Sequence, residues 1–175
     1  MTSRVSIRLL ADDDVEALHT LRLRNRAYLE PWGAVPENGQ VTLESERQSV
    51  LEWIARAEAD QGYAFVVEHE GEMVGRVTLS DIQRGRVQSA VLGYWITEEW
   101  RGRGFASEAA RLAVEFAFFE AGLHRVEAGV MPRNAASIRV LEKAGFREEG
   151  LNLRLLRING VWEDHKLFAI TAEEV

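Results

Sequence analysis

Apolar and polar residues alternate through Val5-Ser6-Ile7-Arg8-Leu9, the period of a half-buried strand. Asp12, Asp13 and Asp14 come next and offer an N-cap and first-turn carboxylates to a helix reaching about Asn25. An acidic triplet also suits a metal, but no second ligand cluster accompanies it, so helix initiation is the simpler reading. Tyr28–Gly33 reads as an irregular piece carrying large aromatics. A loop marked by Pro36 and Gly39 leads to a second helix over Leu43–Gln61, with Val50, Leu51, Ile54 and Ala57 as its apolar stripe.

The period then shortens. Tyr63–Glu68 and Met73–Leu79 read as a hairpin turning at Glu70-Gly71, and Asp81–Gln88 as a polar loop. The apolar run Ala90–Ile96 reads as a central strand. A helix follows to about Gly122, then a strand over Arg125–Met131 and a short helix over Ala135–Ala144 closed by Gly145. The chain finishes with a hairpin, Asn152–Ile158 and Val161–Ile170, around Asn159-Gly160. Both turn residues accept the positive φ of a type I′ turn. The order βααβββαβαββ predicts one α/β (α+β) domain over residues 1–175, with a mixed sheet and a single parallel crossover between Ala90–Ile96 and Arg125–Met131.

Composition narrows this picture. A length of 175 residues suits one domain, and a 46% hydrophobic fraction supplies a core. The chain has no cysteine, which removes disulfides, thiolate metal sites and cysteine nucleophiles, and suits the cytoplasm. No apolar run approaches the length of a membrane span, and the first residues show no secretory signal, so neither a membrane nor export is expected. A net charge of −7 argues against direct nucleic-acid binding. It would draw in a cationic substrate, or simply keep the protein soluble.

The chemistry concentrates at the crossover. Five residues after Ile96 stands Arg101-Gly102-Arg103-Gly104-Phe105-Ala106, where a helix begins. Glycines let the backbone approach a ligand closely. The first amides of a helix lack internal partners and carry partial positive charge. With Arg101 and Arg103 they form a candidate pyrophosphate cradle. The stretch is not a P-loop, since no Gly-Lys-Ser/Thr ends it. Nor does it complete a dinucleotide fingerprint, since Ser107 holds the third glycine place. Taken alone, it reads equally as a glycine-rich turn with exposed arginines.

The wider pattern resembles the GNAT superfamily of N-acetyltransferases. Arg101, Gly104 and Ala106 match its acyl-CoA signature, Arg/Gln-x-x-Gly-x-Gly/Ala. Gly93-Tyr94-Trp95-Ile96, Ser107-Glu108-Ala109, Asn134-Ala135-Ala136-Ser137 and Leu141-Glu142-Lys143-Ala144-Gly145-Phe146 stand at matching spacings. Tyr28-Leu29-Glu30-Pro31-Trp32 and Asn159-Gly160-Val161-Trp162-Glu163-Asp164-His165 are similar to the ribosomal-protein N-terminal acetyltransferases, the alanine- and serine-directed branch.

The resemblance implies a GNAT-like acyl-CoA N-acyltransferase fold: a mostly antiparallel seven-stranded sheet, about four helices, and a splayed central parallel pair. It implies acetyl-CoA as co-substrate, with no metal. Its pyrophosphate would meet the amides of Gly102 to Ala106, and its pantetheine the backbone near Ile96. Its thioester carbonyl would meet an amide near Tyr94 or Trp95, where it would stabilise the oxyanion. Asn134 would bond CoA, cap a helix, or do both. Ser137 matches the position of the thiol-side proton donor, and also suits a first-turn serine bonding backbone.

For the base, Glu127 lies mid-strand beside the expected gap. The position two residues further on, often the family's base, is Gly129 here. Tyrosines found in relatives correspond to Leu141 and Leu155. His165 and Asp164 could relay protons, although a lone strand histidine fixes no geometry. Trp32, Trp95 and Trp162 are candidates to line the acceptor slot, or to fill core. At pH 7, freeing a lysine amine costs about 4.6 kcal/mol, against about 1 kcal/mol for an α-amine. A site lacking an evident base could therefore still serve a protein N-terminus through ordered water. The expected partner is accordingly an amine, first a ribosomal-protein N-terminus. Small amines such as polyamines, amino acids or aminoglycosides, or a catalytically silent acyl-CoA-binding module, are the rival readings. Monomer and homodimer both remain open.

Overall fold

The computed structural model describes residues 4–33 and 41–175. Its centre is one seven-stranded sheet in the order β1-β2-β3-β4-β5-β7-β6. The strands are β1 (Ser6–Leu9), β2 (Tyr63–His69), β3 (Glu72–Gln83), β4 (Ser89–Ile96), β5 (Arg125–Val130), β6 (Arg147–Ile158) and β7 (Val161–Thr171). All neighbours are antiparallel except β4 and β5. That pair stays in register only through Ser89↔Arg125, Ala90↔Val126 and Val91↔Glu127, and beyond Val91 the two strands part. The expected parallel crossover and its splay are therefore both present.

The helices are α1 (Val15–Arg24), α2 (Arg26–Leu29), α3 (Leu43–Glu58), α4 (Phe105–Glu115) and α5 (Ala135–Lys143). Strand alternation sends successive side chains to opposite faces of the sheet. Phe65 and Val67 of β2 join the larger core with Phe105, Ala109, Ala113 and Leu141, under α4 and α5. Ala64 and Val66 join a second core with Val15, Leu18 and Val50, under α1 and α3. Both faces of β2 are buried over residues 64–67, which is why residues 63–67 are an unbroken apolar run.

Several boundaries differ from the sequence reading for local reasons. Asp14 does start α1, but from an ion pair: its carboxylate accepts from Arg8 at 2.7 and 2.8 Å and from the Ala11 amide at 2.9 Å. The piece expected to be irregular, Tyr28–Gly33, coils instead through the end of α2 and a tight turn, Glu30–Trp32. The helix expected to reach Gly122 loosens at Phe116–Glu120 into one π-helical stretch. There Phe116 packs edge-on against Tyr63 and Phe65, with ring centroids at 5.0 and 4.8 Å.

β3 continues to Gln83 and β6 begins at Arg147, both longer than their alternation suggests. Register shifts at Ser80/Gln83, Glu148/Gly150 and Asn152/Leu156 break the two-residue period. The Asn159-Gly160 turn has the expected positive φ, 50° and 82°. The Asn159 side chain donates to the Glu30 carbonyl at 2.8 Å, tying this hairpin to the Glu30–Trp32 turn. The loop marked by Pro36 and Gly39 lies outside the described residues.

Candidate active site

The parting of β4 and β5 opens a cleft of about 1070 Å³. At one end lies the loop Arg101–Gly104. Gly102 and Gly104 take φ of 72° and 82°, the left-handed region that favours glycine. The first α-helical bond of α4 runs from the Glu108 amide to the Gly104 carbonyl. The amides of Phe105, Ala106 and Ser107 therefore have no partner inside the helix. Arg101, Gly102, Gly104, Phe105 and Ala106 line the cleft.

Arg103 departs from expectation: it is not among the lining residues, and its guanidinium stacks over Trp100 at 4.5 Å. Phe105 contributes backbone to the loop, since its side chain is core and stacks on Trp100. Arg139 and Lys143 also line the cleft. They stand four apart on α5 and were missed by the sequence reading, although an i,i+4 cationic pair after Asn134 was the available signal.

The splay frees backbone groups along β4. The Thr97 amide donates to Val74 of β3, so alternation turns Gly93 and Trp95 toward β3. The N–H and C=O groups of Leu92, Tyr94 and Ile96 then face the gap, where β5 no longer pairs with them. Of the two amides named as candidates for the oxyanion, that of Tyr94 faces the gap and that of Trp95 faces β3.

Side chains divide between the two faces. On the α4/α5 face, Tyr94 Oη lies 2.7 Å from Ser137 Oγ and 3.2 Å from the Ser137 carbonyl. Burial, offset in part by this Ser137 contact, pushes the Tyr94 phenol up to about 12. The Ser137 amide donates to Asn134 Oδ1 at 3.2 Å, so Asn134 caps α5 while also lining the cleft. Leu141, where some relatives carry a tyrosine, is fully buried core, and Leu155 lies exposed on β6. The phenol at this site comes from Tyr94 instead, a role the sequence reading did not assign.

On the α1/α3 face, His165 is 4% exposed and lines the cleft. Its Nδ1 lies 3.1 Å from the Glu163 carbonyl. A carbonyl can only accept, so Nδ1 is the donor in this contact, and in the neutral imidazole the lone pair is then on Nε2. The Cβ position of Gly129 lies 3.6 Å from the His165 ring, an ordinary van der Waals contact, so the imidazole lies directly over this glycine.

Two expected residues do not join the site. Glu127 lies where β4 and β5 are still paired, outside the cleft, and its exposed carboxylate accepts from Arg125 Nε at 2.7 Å. This placement does not support the role of base. Trp162 is 59% exposed, paired with Arg157 on the outer hairpin, and is not among the residues lining the cleft. Trp32 does line the cleft, with Arg133 over its ring at 5.2 Å. Trp95 both lines the cleft and packs against the second core.

Residues 4–147 match the family model described as an acetyltransferase (GNAT) domain. The chain is 41% identical over 168 residues to a probable N-acetyltransferase, YjcK, of Bacillus subtilis, covering 95% of this chain and 93% of that protein. It is 33% identical over 177 residues to the [ribosomal protein uS5]-alanine N-acetyltransferase of Escherichia coli, covering 99% and 90%. Among solved structures, Mycobacterium smegmatis RimJ in complex with CoA-disulfide superposes with a TM-score of 0.92 at 37% identity, covering 98% of this chain and 83% of that one.

Proposed function

This chain belongs to the GNAT acetyltransferase family as an acetyl-CoA-dependent N-acetyltransferase, and on that premise we propose that its acceptor is the N-terminal α-amine of a protein, a ribosomal protein being the first candidate. The observation that carries this reading is the placement of His165 and the Tyr94–Ser137 pair on opposite sides of one gap. Acetyl-CoA supplies an activated acetyl group as a thioester. The Gly102–Ala106 loop binds its pyrophosphate, assisted by Arg101, and the freed backbone of β4 holds its pantetheine arm. The Tyr94 amide donates to the thioester oxygen and stabilises the charge that develops there.

His165 Nε2 takes the proton that the acceptor ammonium must lose before its nitrogen can attack, directly or through one water. Ser137 donates a hydrogen bond to the departing thiolate, with Tyr94 behind it. An α-amine asks little of this base, since it is already partly neutral at pH 7. That small demand, with the named activities of the relatives, favours an N-terminus over a lysine side chain.

The test is thiol release from acetyl-CoA with alanine-initiated peptides, the uS5 N-terminus first, compared with the same peptides blocked at the α-amine but carrying lysine. Acetylation mapped by mass spectrometry to the α-amine supports the reading. Modification of lysine alone, or of small amines alone, overturns it.

A further inference from the structure

The α1/α3 side of the cleft holds buried donors that have no hydrogen-bond partner among the described residues. Arg76 of β3 sits opposite Trp95 of β4, and both line the cleft. Among the described residues, Arg76 Nη1 is buried without a hydrogen-bond partner, and so is the indole Nε1 of Trp95. Arg22 of α1 packs alongside, its guanidinium 5.7 Å from the Trp95 ring and its Nε 3.3 Å from Glu46. Glu46 is the buried carboxylate near both guanidinium groups, and the Arg76 guanidinium also lies over the Trp53 ring at 5.7 Å. Ser49 and Thr78 add hydroxyls to the same wall. Burial and the neighbouring Arg22 push the Arg76 guanidinium down to about 10, with Glu46 opposing, so it stays charged at neutral pH.

A buried donor without a partner is costly, and more so when charged. Two such donors, opposite one another on the acceptor side of an open cleft, describe a subsite awaiting an anion. A planar carboxylate matches the guanidinium fork and can also accept from an indole N–H. We propose that the Arg76–Trp95 pair binds a carboxylate of the acceptor, so that this enzyme acetylates amines bearing a nearby negative charge. The proposal rests on the acetyltransferase reading above and narrows its acceptor class. Two sources share this chemistry: an acidic side chain early in a peptide, and the α-carboxylate of a free amino acid. Polyamines, which bring only positive charge, are disfavoured.

The experiment measures kcat/KM by thiol release for C-terminally amidated alanine peptides with one Glu moved through positions two to four, each against its Gln counterpart. Alanine against alaninamide probes the second source, and spermidine is the cationic control. One charge-assisted contact predicts on the order of ten- to a hundredfold preference for the carboxylate member of one pair. A preference within the peptides identifies the side-chain source; a preference for alanine over alaninamide identifies the α-carboxylate. Arg76→Gln should bring the favoured ratio to about one. Trp95→Phe, which keeps an aromatic ring, should reduce it about threefold and serves if the first variant does not fold.

Turnover without any preference, a preference for Gln peptides, or a preference for spermidine overturns the proposal while leaving the acetyltransferase reading intact. If no amine is turned over, that reading fails first. Calorimetric binding of N-acetyl-Ala-Glu-amide against N-acetyl-Ala-Gln-amide to the CoA-bound protein then decides the subsite separately, with equal affinities refuting it.

Discussion

Replacing Tyr94 by Phe removes one oxygen from the middle of the cleft and leaves the ring in place. The phenol has one proton and two acceptors in reach, Ser137 Oγ at 2.7 Å and the Ser137 carbonyl at 3.2 Å. If the proton goes to Oγ, the Ser137 hydroxyl is free to donate to the departing sulfur. Without the phenol, the serine keeps its donor but loses the contact that orients it. A neutral hydrogen bond contributes about 0.5–1.5 kcal/mol, so kcat should fall about two- to twelvefold. Ser137→Ala removes the donor to a developing thiolate, worth about 1.5–3 kcal/mol, or roughly ten- to 150-fold. Because Tyr94 acts through Ser137, the double variant should be no worse than Ser137→Ala alone. The assay is thiol release at saturating acetyl-CoA and acceptor, run as a double-mutant cycle. A phenol held at about 12 does not ionise in the working range, so Tyr94→Phe should also leave the shape of the pH profile unchanged. If the two losses multiply, or if Tyr94→Phe leaves kcat untouched, the phenol does not act through the serine.

His165→Gln should lower kcat/KM on the order of a hundredfold or more, whereas Glu127→Gln should stay within about threefold of wild type; a reversed pattern in steady-state kinetics would return the base to Glu127. Gly104→Ala forces a side chain into φ of 82°, costing about 1–2 kcal/mol, and should raise the KM for acetyl-CoA at least fivefold with a smaller change in kcat. Asp14 is held below its ordinary 3.8 mainly by the Arg8 hydrogen bonds, against the opposing effect of burial, with the Ala11 amide assisting. Its stabilisation is therefore complete above the ordinary carboxylate range and lost as pH falls through the lowered folded value. Asp14→Asn should cost about 1–2 kcal/mol at pH 7, allowing for the exposure of Arg8, and the gap to wild type should close on acid titration followed by urea unfolding.

What could be read from the chain follows from what strand and helix periods encode. The strand order of the crossover, the glycine loop and the Asn159-Gly160 turn each rest on short-range rules, and the structure contains all three. The bulged stretches of β3 and β6 were hidden because a bulge shifts the alternation that marks a strand. The base shows a different limit. Alternation correctly puts Glu127 and Gly129 on one face of β5, away from Val126 and Ala128 in the main core. Nothing in that period says where along the strand β4 and β5 separate. The separation falls just after Val91↔Glu127, so one two-residue step, about 6.6 Å, divides a position closed by pairing from one open to the cleft.

At the open position the chain carries glycine, and the space goes to a histidine from β7, some 36 residues later in the sequence. Such a substitution across strands has no local signature, because it depends on the β5–β7 register. The same holds for Arg76 and Trp95, which are ordinary strand residues until β3 and β4 set them opposite one another. Binding of acetyl-CoA was readable because its loop is local. The groups proposed to handle the proton, and those proposed to face the acceptor, meet only through long-range pairing. That assembled wall, where two buried donors have no hydrogen-bond partner among the described residues, is where the proposed acceptor chemistry is tested.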